Sequence, residues 1–564
     1  MNKLELTWIG KDEPIIVEPR ILLEQKDLGF SKEKPASLIE EYPPTTNNIM
    51  VHGDNLLALR AIEPQFAGKV KCIYIDPPYN TGEAFEHYDD NVEHSTWLNL
   101  MRARLLVLKN LLREDGFFCC QIDDSEGAYL KVLLDEVFGR DNYETTIYVR
   151  VRYPEKTLKQ DMDYHKEIEM IHVYRKSPLA KPYLEEVETG FDSFDKQIAT
   201  TGEPFKTIEL GGKKVELFAK EQYQIEKVEG NINGLKEIWA SGTILDGNSS
   251  GRFFRDYLTG RYEEDGYGIL YRVYGIGDDG KPYRYFTGPN RPGATKGKYY
   301  QGVPTQKAAE GIIRKRVPIL GFLDLAASFG NCRHEGASEF RGGKKPEKLI
   351  STILKYFTKP GDLVLDSFLG SGTTAAVAQK MGRRWIGIEM GDQAYTLCKP
   401  RLDRVISGKD KTGVTADYDF NGGGSYRFFE LAPTLIRQDS FGQEIINPEY
   451  NSNMLAAAVA IHEGYVYQPD PEVYWKQATN GTNGFLFVTT KHITSDLVCA
   501  LANDLNENEH LIVVCKSFEE SAQHVTKNIT IKKIPQSLLN NCQFGATNYN
   551  LNIICPPVYD EEDQ

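Results

Sequence analysis

The sequence predicts an α/β protein built on a parallel, doubly wound sheet, interrupted by a long insertion and followed by a second α/β domain. Three observations carry that prediction. Short β-branched runs alternate with amphipathic stretches from Met50 to about Lys176, and the alternation returns between Gly342 and about Val405. Two of the strands end in corners of unusual composition, Asp76-Pro77-Pro78-Tyr79 and Ser367-Phe368-Leu369-Gly370-Ser371-Gly372-Thr373. Between the two halves, residues 177–330 lose sustained periodicity, fill with Gly, Tyr, Lys and Arg, and read as an inserted, loop-rich module.

Taken in order, residues 1–45 are polar and proline-dotted and read as an arm rather than a core element. Val70–Ile75 is a short apolar run, which suits a buried strand. His94–Arg113 carries Trp97, Leu98, Met101, Leu105, Leu108, Leu111 and Leu112 at helical spacing. Gly116 opens a strand over Phe117–Asp123, where the neighbouring Cys119 and Cys120 point to opposite faces and read as buried thiols. Ser125 is placed to cap a helix running to Phe138, and Ile168–Tyr174 reads as a further strand. The break Asn421-Gly422-Gly423-Gly424 precedes a tail with strands at Phe485–Thr489, Leu511–Cys515 and Ile529–Ile534. At 564 residues the chain is too long for one core. The expected divisions are 1–45, 46–176, 177–330, 331–428 and 429–564, with 46–176 and 331–428 forming one domain.

Composition narrows the class. The nine cysteines include no Cys-x-x-Cys pair, so no metal site is expected and a reducing, cytoplasmic setting fits. No apolar run approaches the roughly eighteen residues of a membrane span, and Met1–Glu5 lacks the start of a secretion signal. The net charge of −14 does not exclude a polyanionic partner, because binding depends on where basic groups sit. From Lys281 to Arg316, nine Lys or Arg residues, among them Arg284, Arg291, Lys296 and Lys298, face only Glu310. Such a run is either a solvated face or a phosphate-binding surface.

The glycine corner follows the strand Leu363–Asp366. A strand, a tight glycine turn and a helix N-terminus make a nucleotide-sized pocket at the strand's carboxyl end. The strand Trp385–Glu389 ends in a carboxylate nineteen residues after Gly370, placed to accept from ribose hydroxyls. A phosphate-binding P-loop would require a lysine that is absent here. The loop alone leaves a dinucleotide and S-adenosylmethionine equally open.

The proline corner separates them. Asp76-Pro77-Pro78-Tyr79 would arise by chance in roughly one chain in several hundred of this length. An aromatic exocyclic amine is a poor nucleophile, because its lone pair is delocalised into the ring. A site must engage both N–H groups so that the nitrogen rehybridises. Asp76 offers one acceptor, and the carbonyl of Pro77, stiffened by its neighbour Pro78, offers the other. Tyr79 offers a face for an extruded base. Hydride transfer needs none of this, so the dinucleotide reading falls behind.

These residues resemble the β class of DNA amino-methyltransferases, in which the catalytic tetrapeptide precedes the cofactor loop. The resemblance implies a Rossmann-like methyltransferase sheet with an inserted target-recognition domain. It implies a cofactor site at Asp54, Lys345, Pro346, Asp366, Phe368, Gly370, Ser371, Gly372, Thr373 and Glu389, with S-adenosylmethionine as methyl donor. An aspartate at position 76 goes with adenine N6, whereas serine is common in enzymes of cytosine N4. The segments Leu6–Lys11, Glu18–Leu22 and Ile531–Pro535 further resemble modification subunits of type III restriction–modification systems. That resemblance implies a homodimer, double-stranded DNA as substrate and a helicase–nuclease restriction subunit as partner. A stand-alone methyltransferase of the same class, or a recognition subunit guiding a nuclease without methylation, would share much of the pattern. In the inserted domain Arg284, Arg291, Lys296 and Lys298 are expected to meet DNA, while most of Tyr283, Tyr285, Phe286, Tyr299 and Tyr300 pack internally. The tail is expected to dock a partner or a second copy.

Overall fold

All six residues of Val70–Ile75 are buried, as a central strand covered on both faces requires. The computed structural model describes residues 5–12, 17–18, 20–31, 48–80, 94–154, 165–240, 249–311, 313–337, 343–438 and 444–534. Among them Val70–Ile75 belongs to an eleven-stranded sheet. In chain order its strands are β1 (Leu22–Glu24), β2 (Phe30–Ser31), β3 (Asn48–His52), β4 (Val70–Ile75), β5 (Leu112–Ile122), β6 (Tyr143–Arg150), β7 (Ile168–Arg175), β8 (Phe322–Asp324), β9 (Leu363–Asp366), β10 (Arg384–Glu389) and β11 (Ser425–Leu431). Across the sheet the order is β1-β11-β3-β10-β9-β4-β5-β7-β6-β8, with β2 also paired to β11. From β11 to β5 every pairing is parallel.

The helices that cover this sheet are α1 (Asn55–Phe66), α2 (His94–Leu111), α3 (Gly127–Phe138), α4 (Glu347–Phe357), α5 (Thr373–Lys380) and α6 (Lys399–Ser407). Their apolar faces meet the strands. In α4 the stripe Leu349, Ile350, Ile353, Leu354 and Phe357 is buried, while Lys348 and Lys355 stay exposed. The core beside the parallel strands gathers Val51, Leu57, Ile73, Trp97, Leu105, Phe118, Leu134, Leu365 and Ile388.

Four expectations are corrected. First, β7 runs antiparallel to both β5 and β6, so the sheet is mixed; apolar periodicity reports burial and says nothing of strand direction. Second, Ser125 does not cap α3. The cap position is Glu126, without a side-chain cap bond, and Ser125 binds Asp123 instead. Third, the segment before residue 45 does more than form an arm. Its β1 pairs with β11, Ile21 is buried, and Arg20 donates to the carbonyl of Ala432 at 3.1 Å. Fourth, the boundary expected between 428 and 429 falls inside β11, where Phe428 and Phe429 pair with Met50 and Val51.

The tail carries a five-stranded sheet in which Gly484–Ile493, His510–Phe518 and Ile529–Lys533 run parallel. One of its cores joins Leu455, Val459, Leu486, Val514 and Ile534 to Ile21 and Leu435. Two of the end segments that carried the closer resemblance therefore meet in one core.

The chain divides into two compact units, Met1–Tyr183 with Leu320–Gln564, and Leu184–Ile319. Considered by itself, the second unit is not loop-rich. Six strands, Lys206–Leu210, Lys213–Phe218, Leu270–Tyr274, Tyr283–Thr287, Gly297–Gln301 and Lys236–Ala240, form one antiparallel sheet. Val215, Leu217, Tyr271, Val273, Phe286 and Tyr299 make its core. The positions between these core residues carry polar partners: Glu216 accepts from Arg272 at 2.7 Å and from Tyr274 at 3.0 Å. Among the described residues no helix is long and apolar enough to cross a membrane.

Candidate active site

Two neighbouring parallel strands deliver the two corners. Val364 and Leu365 of β9 pair with Cys72 and Ile73 of β4, so Asp76 and the Ser367–Thr373 loop leave the sheet at the same carboxyl edge. A third neighbour, β10, pairs with β9 in parallel register and brings Glu389 to that edge.

At the proline corner Asp76 sits in a web of partners. Its side chain is 19% exposed, and Oδ2 lies 2.9 Å from Lys345 Nζ. The Tyr79 hydroxyl lies 2.8 Å from both Asp76 Oδ1 and Glu169 Oε2 and shares its one proton between them. Lys345 Nζ is also 3.5 Å from Glu169 Oε2 and 4.9 Å from the Tyr79 ring centroid. Gln121 donates its amide to Glu169, and Tyr74 donates to Gln121. Burial pushes Asp76 above the ordinary carboxylate range, against the opposing pull of Lys345. Burial also drives the Tyr79 phenol well up, so it stays protonated and donates. The turn is fixed from behind, where Trp97 donates to the carbonyl of Pro78 at 2.9 Å. Asn80 then takes a positive φ of 58°, and its amide donates to Glu126 at 2.6 Å.

At the glycine corner Gly370 has φ 56°, and a Cβ built there would meet nothing nearer than the Phe368 carbonyl at 4.0 Å. The side of Gly370 that lacks a side chain thus faces open space. Gly372, φ 79°, starts α5, and a Cβ there would stand 3.3 Å from Cys398 Cα. Glu389 accepts from Gly370 N at 2.6 Å, Gly391 N at 3.0 Å and Gln393 Nε2 at 2.8 Å. These bonds fix the carboxylate at the strand's end, beside the glycine turn. Asp366 accepts from Phe368 N at 2.9 Å, and burial pushes its carboxyl up to about 7. The Ser367 hydroxyl is buried without a hydrogen-bond partner among the described residues. An open glycine face, a held carboxylate and an unused hydroxyl fit a nucleoside-bearing cofactor.

Not every expected cofactor residue is free to touch one. Asp54 caps α1, accepting from Leu56 N and Leu57 N, and pairs with Arg104 at 3.2 Å. Its neighbour Asn55 donates to the Ser367 carbonyl at 2.8 Å, so this segment braces the loop. Thr373 accepts from Arg401 at 2.8 Å, and Ser371 gives the same guanidinium its carbonyl at 3.2 Å. Pro346 is buried at the start of α4, and Phe368 is buried at 8% exposure.

Sequence reasoning missed the buried charges behind the loop. Arg401 pairs with Glu347 at 2.8 Å, and Lys380 with Glu347 at 2.8 Å and Asp410 at 2.7 Å. It missed Glu169 too. A lone acid in an apolar strand was the only trace of that residue, because its partners come from the corner after β4, from β5 and from the turn before α4.

Of the expected DNA contacts, Arg284 is corrected. It is buried at 4% exposure, pairs with Asp279 at 2.9 Å and donates to Ser250 at 2.7 Å. Lys298 pairs with Glu237 at 2.7 Å and covers the exposed Trp239 ring at 4.5 Å. Arg291 and Lys296 are exposed. Tyr285, Phe286, Tyr299 and Tyr300 are buried.

The family model described as DNA methylase matches residues 70–400, more than half of the chain, from β4 through Glu389. The chain is 32% identical over 68% of its length to the probable type III restriction–modification enzyme HindVI Mod subunit of Haemophilus influenzae, spanning 54% of that protein. It is 24% identical over 89% of its length to the type III EcoPI Mod subunit of Escherichia phage P1, spanning 84% of it. A solved M1.HpyAVI–SAM complex aligns at 15% identity and a TM-score of 0.29, covering 63% of this chain and 99% of that one. With both of its corners inside the matched span, the chain belongs to the DNA methylase family.

Proposed function

We propose that the chain transfers a methyl group from S-adenosylmethionine to N6 of an adenine extruded from duplex DNA, as the modification subunit of a type III restriction–modification system. One observation carries the reading: β4 and β9 are parallel neighbours, so Asp76 and the Gly370 turn share one edge. The names of the relatives, Mod subunits over most of the chain, support the type III assignment. Dimerisation and a helicase–nuclease partner belong to the same proposal.

When bound, the cofactor supplies an activated methyl carbon on a sulfonium. The chain supplies alignment. Gly370 admits the ligand to the backbone, and Glu389 accepts from its ribose. Asp76 and the Pro77 carbonyl accept the two N–H groups of the amine, and the Tyr79 ring carries the base. A carboxylate raised by burial is also a better acceptor for the proton the amine must lose. With no base present, Lys345 lies on Asp76 and over Tyr79 and keeps that corner ordered.

Long-read sequencing of DNA from cells expressing the chain tests this directly, since it reports modified base and site together. N6-methyladenine at one recurring sequence is expected. N4-methylcytosine would move the assignment to the other amine of the class, and unmodified DNA would refute it.

A further inference from the structure

The Lys345 ammonium stands where a substrate amine would stand. It is an N–H donor 2.9 Å from Asp76 Oδ2 and a cation 4.9 Å above the Tyr79 ring. The base placed by the function proposed above needs that same carboxylate and that same ring face. The other oxygen of Asp76 faces Tyr79 at 2.8 Å, so the ammonium sits on the oxygen turned away from that phenol. A fixed ammonium would obstruct the substrate it is supposed to serve.

A second acceptor lies within reach of the same nitrogen. Glu169 Oε2 is 3.5 Å from Lys345 Nζ and is held by Tyr79 at 2.8 Å and by the Gln121 amide. Its strand β7 is anchored to β5, where Gln121 pairs with Ile171. A lysine stem is flexible and its ammonium is a compact point charge. It can pass from one carboxylate to the other without becoming an unpaired buried charge, the outcome that burial penalises most.

We propose that Lys345 gates the amine site, holding Asp76 while no base is bound and swinging onto Glu169 as the base enters. Glu169 is then a positioning residue that acts through Lys345. The swing has a chemical consequence, because Asp76 loses its cation as the amine arrives and becomes the stronger proton acceptor when one is required. The proposal rests on the methyltransferase reading.

The test compares Glu169→Gln in two backgrounds, using the full chain, unmethylated duplex DNA and labelled S-adenosylmethionine. Glutamine keeps an acceptor for Tyr79 but no longer draws an ammonium. In the native background, kcat/KM for DNA should fall about tenfold or more, with cofactor affinity unchanged, the loss expected of a missing charge-assisted bond. In a Lys345→Met background the same change should cost less than about twofold, because nothing is left to move. Equal losses in both backgrounds would overturn the gate. If Lys345→Met gives no turnover, the structure of the native chain on a duplex bearing its site decides. Lys345 Nζ is then expected on Glu169, and finding it still on Asp76 beside a docked base would overturn the proposal. A native chain that methylates nothing would instead remove the underlying reading, which is a distinguishable failure.

Discussion

Leu365 of β9 lies beside Ile73 of β4 in parallel register, and this adjacency joins two motifs nearly three hundred residues apart in sequence. Parallel strands send their carboxyl ends the same way. Asp76, three residues after Ile73, and Gly370, five after Leu365, therefore leave the sheet at one edge. Had the two strands been antiparallel, the same motifs would have stood at opposite ends.

The first prediction concerns Asp76. Replacing it by Asn keeps the shape and removes the charged acceptor. Turnover should fall by about 10²–10⁴-fold, the range for losing a positioned acid–base group. Calorimetric affinity for S-adenosylmethionine should stay within about threefold, since Glu389 and Gly370 are untouched. A mutant with native turnover would remove Asp76 from the chemistry.

The second concerns pH. Burial raises Asp366 to about 7, from near 4 in the unfolded chain. The folded state therefore holds a proton that the unfolded state has lost across that window. The contribution of this group to stability is fully present below about pH 4 and is lost as pH rises to about 7, a penalty on the order of a few kcal/mol. Asp366→Asn should thus gain on the native chain between pH 4.5 and 7.5. Melting curves across that interval check it, and a constant difference in Tm would contradict it.

How far the sequence could be read follows from these residues. Val70–Ile75 and Leu363–Asp366 were legible because a strand buried on both faces is mostly apolar, Lys71 and Asp366 excepted, and their corners were legible because few other chemistries need those residues. Glu169 and Arg401 were not, since each acts only on groups brought near by the fold. The second unit read as loop-rich because its strands are only five or six residues long and glycines stand between several of them. Arg284 counted as a free cation in the sequence and is a buried partner of Asp279 in the fold.

The third prediction addresses the brace behind the glycine loop. Arg401→Met leaves Glu347 without one of its two cations and frees the Ser371 carbonyl. Removing one partner of a buried pair typically costs about 3–5 kcal/mol. Tm should drop accordingly, with cofactor affinity falling in parallel as the loop loosens. An unchanged Tm would show that the network bears no load.

The fourth separates DNA contacts from structural cations in the second unit. Lys296→Ala and Arg291→Ala should each lower DNA affinity across all sequences and reduce the salt slope by about 0.9, the value for one phosphate contact. Arg284→Ala should lower Tm instead. Filter binding between 50 and 200 mM salt checks it, and an unchanged slope in both exposed variants would exclude this face.

The most direct measurement is chemical. The purified chain is incubated with unmethylated duplex DNA and deuterated-methyl S-adenosylmethionine, and the DNA is digested to nucleosides and weighed by mass spectrometry. Label on N6-methyl-2′-deoxyadenosine from the native chain, and its loss in Asp76→Asn, is the predicted result. Label found elsewhere, or undiminished N6 label from Asp76→Asn, would contradict the account.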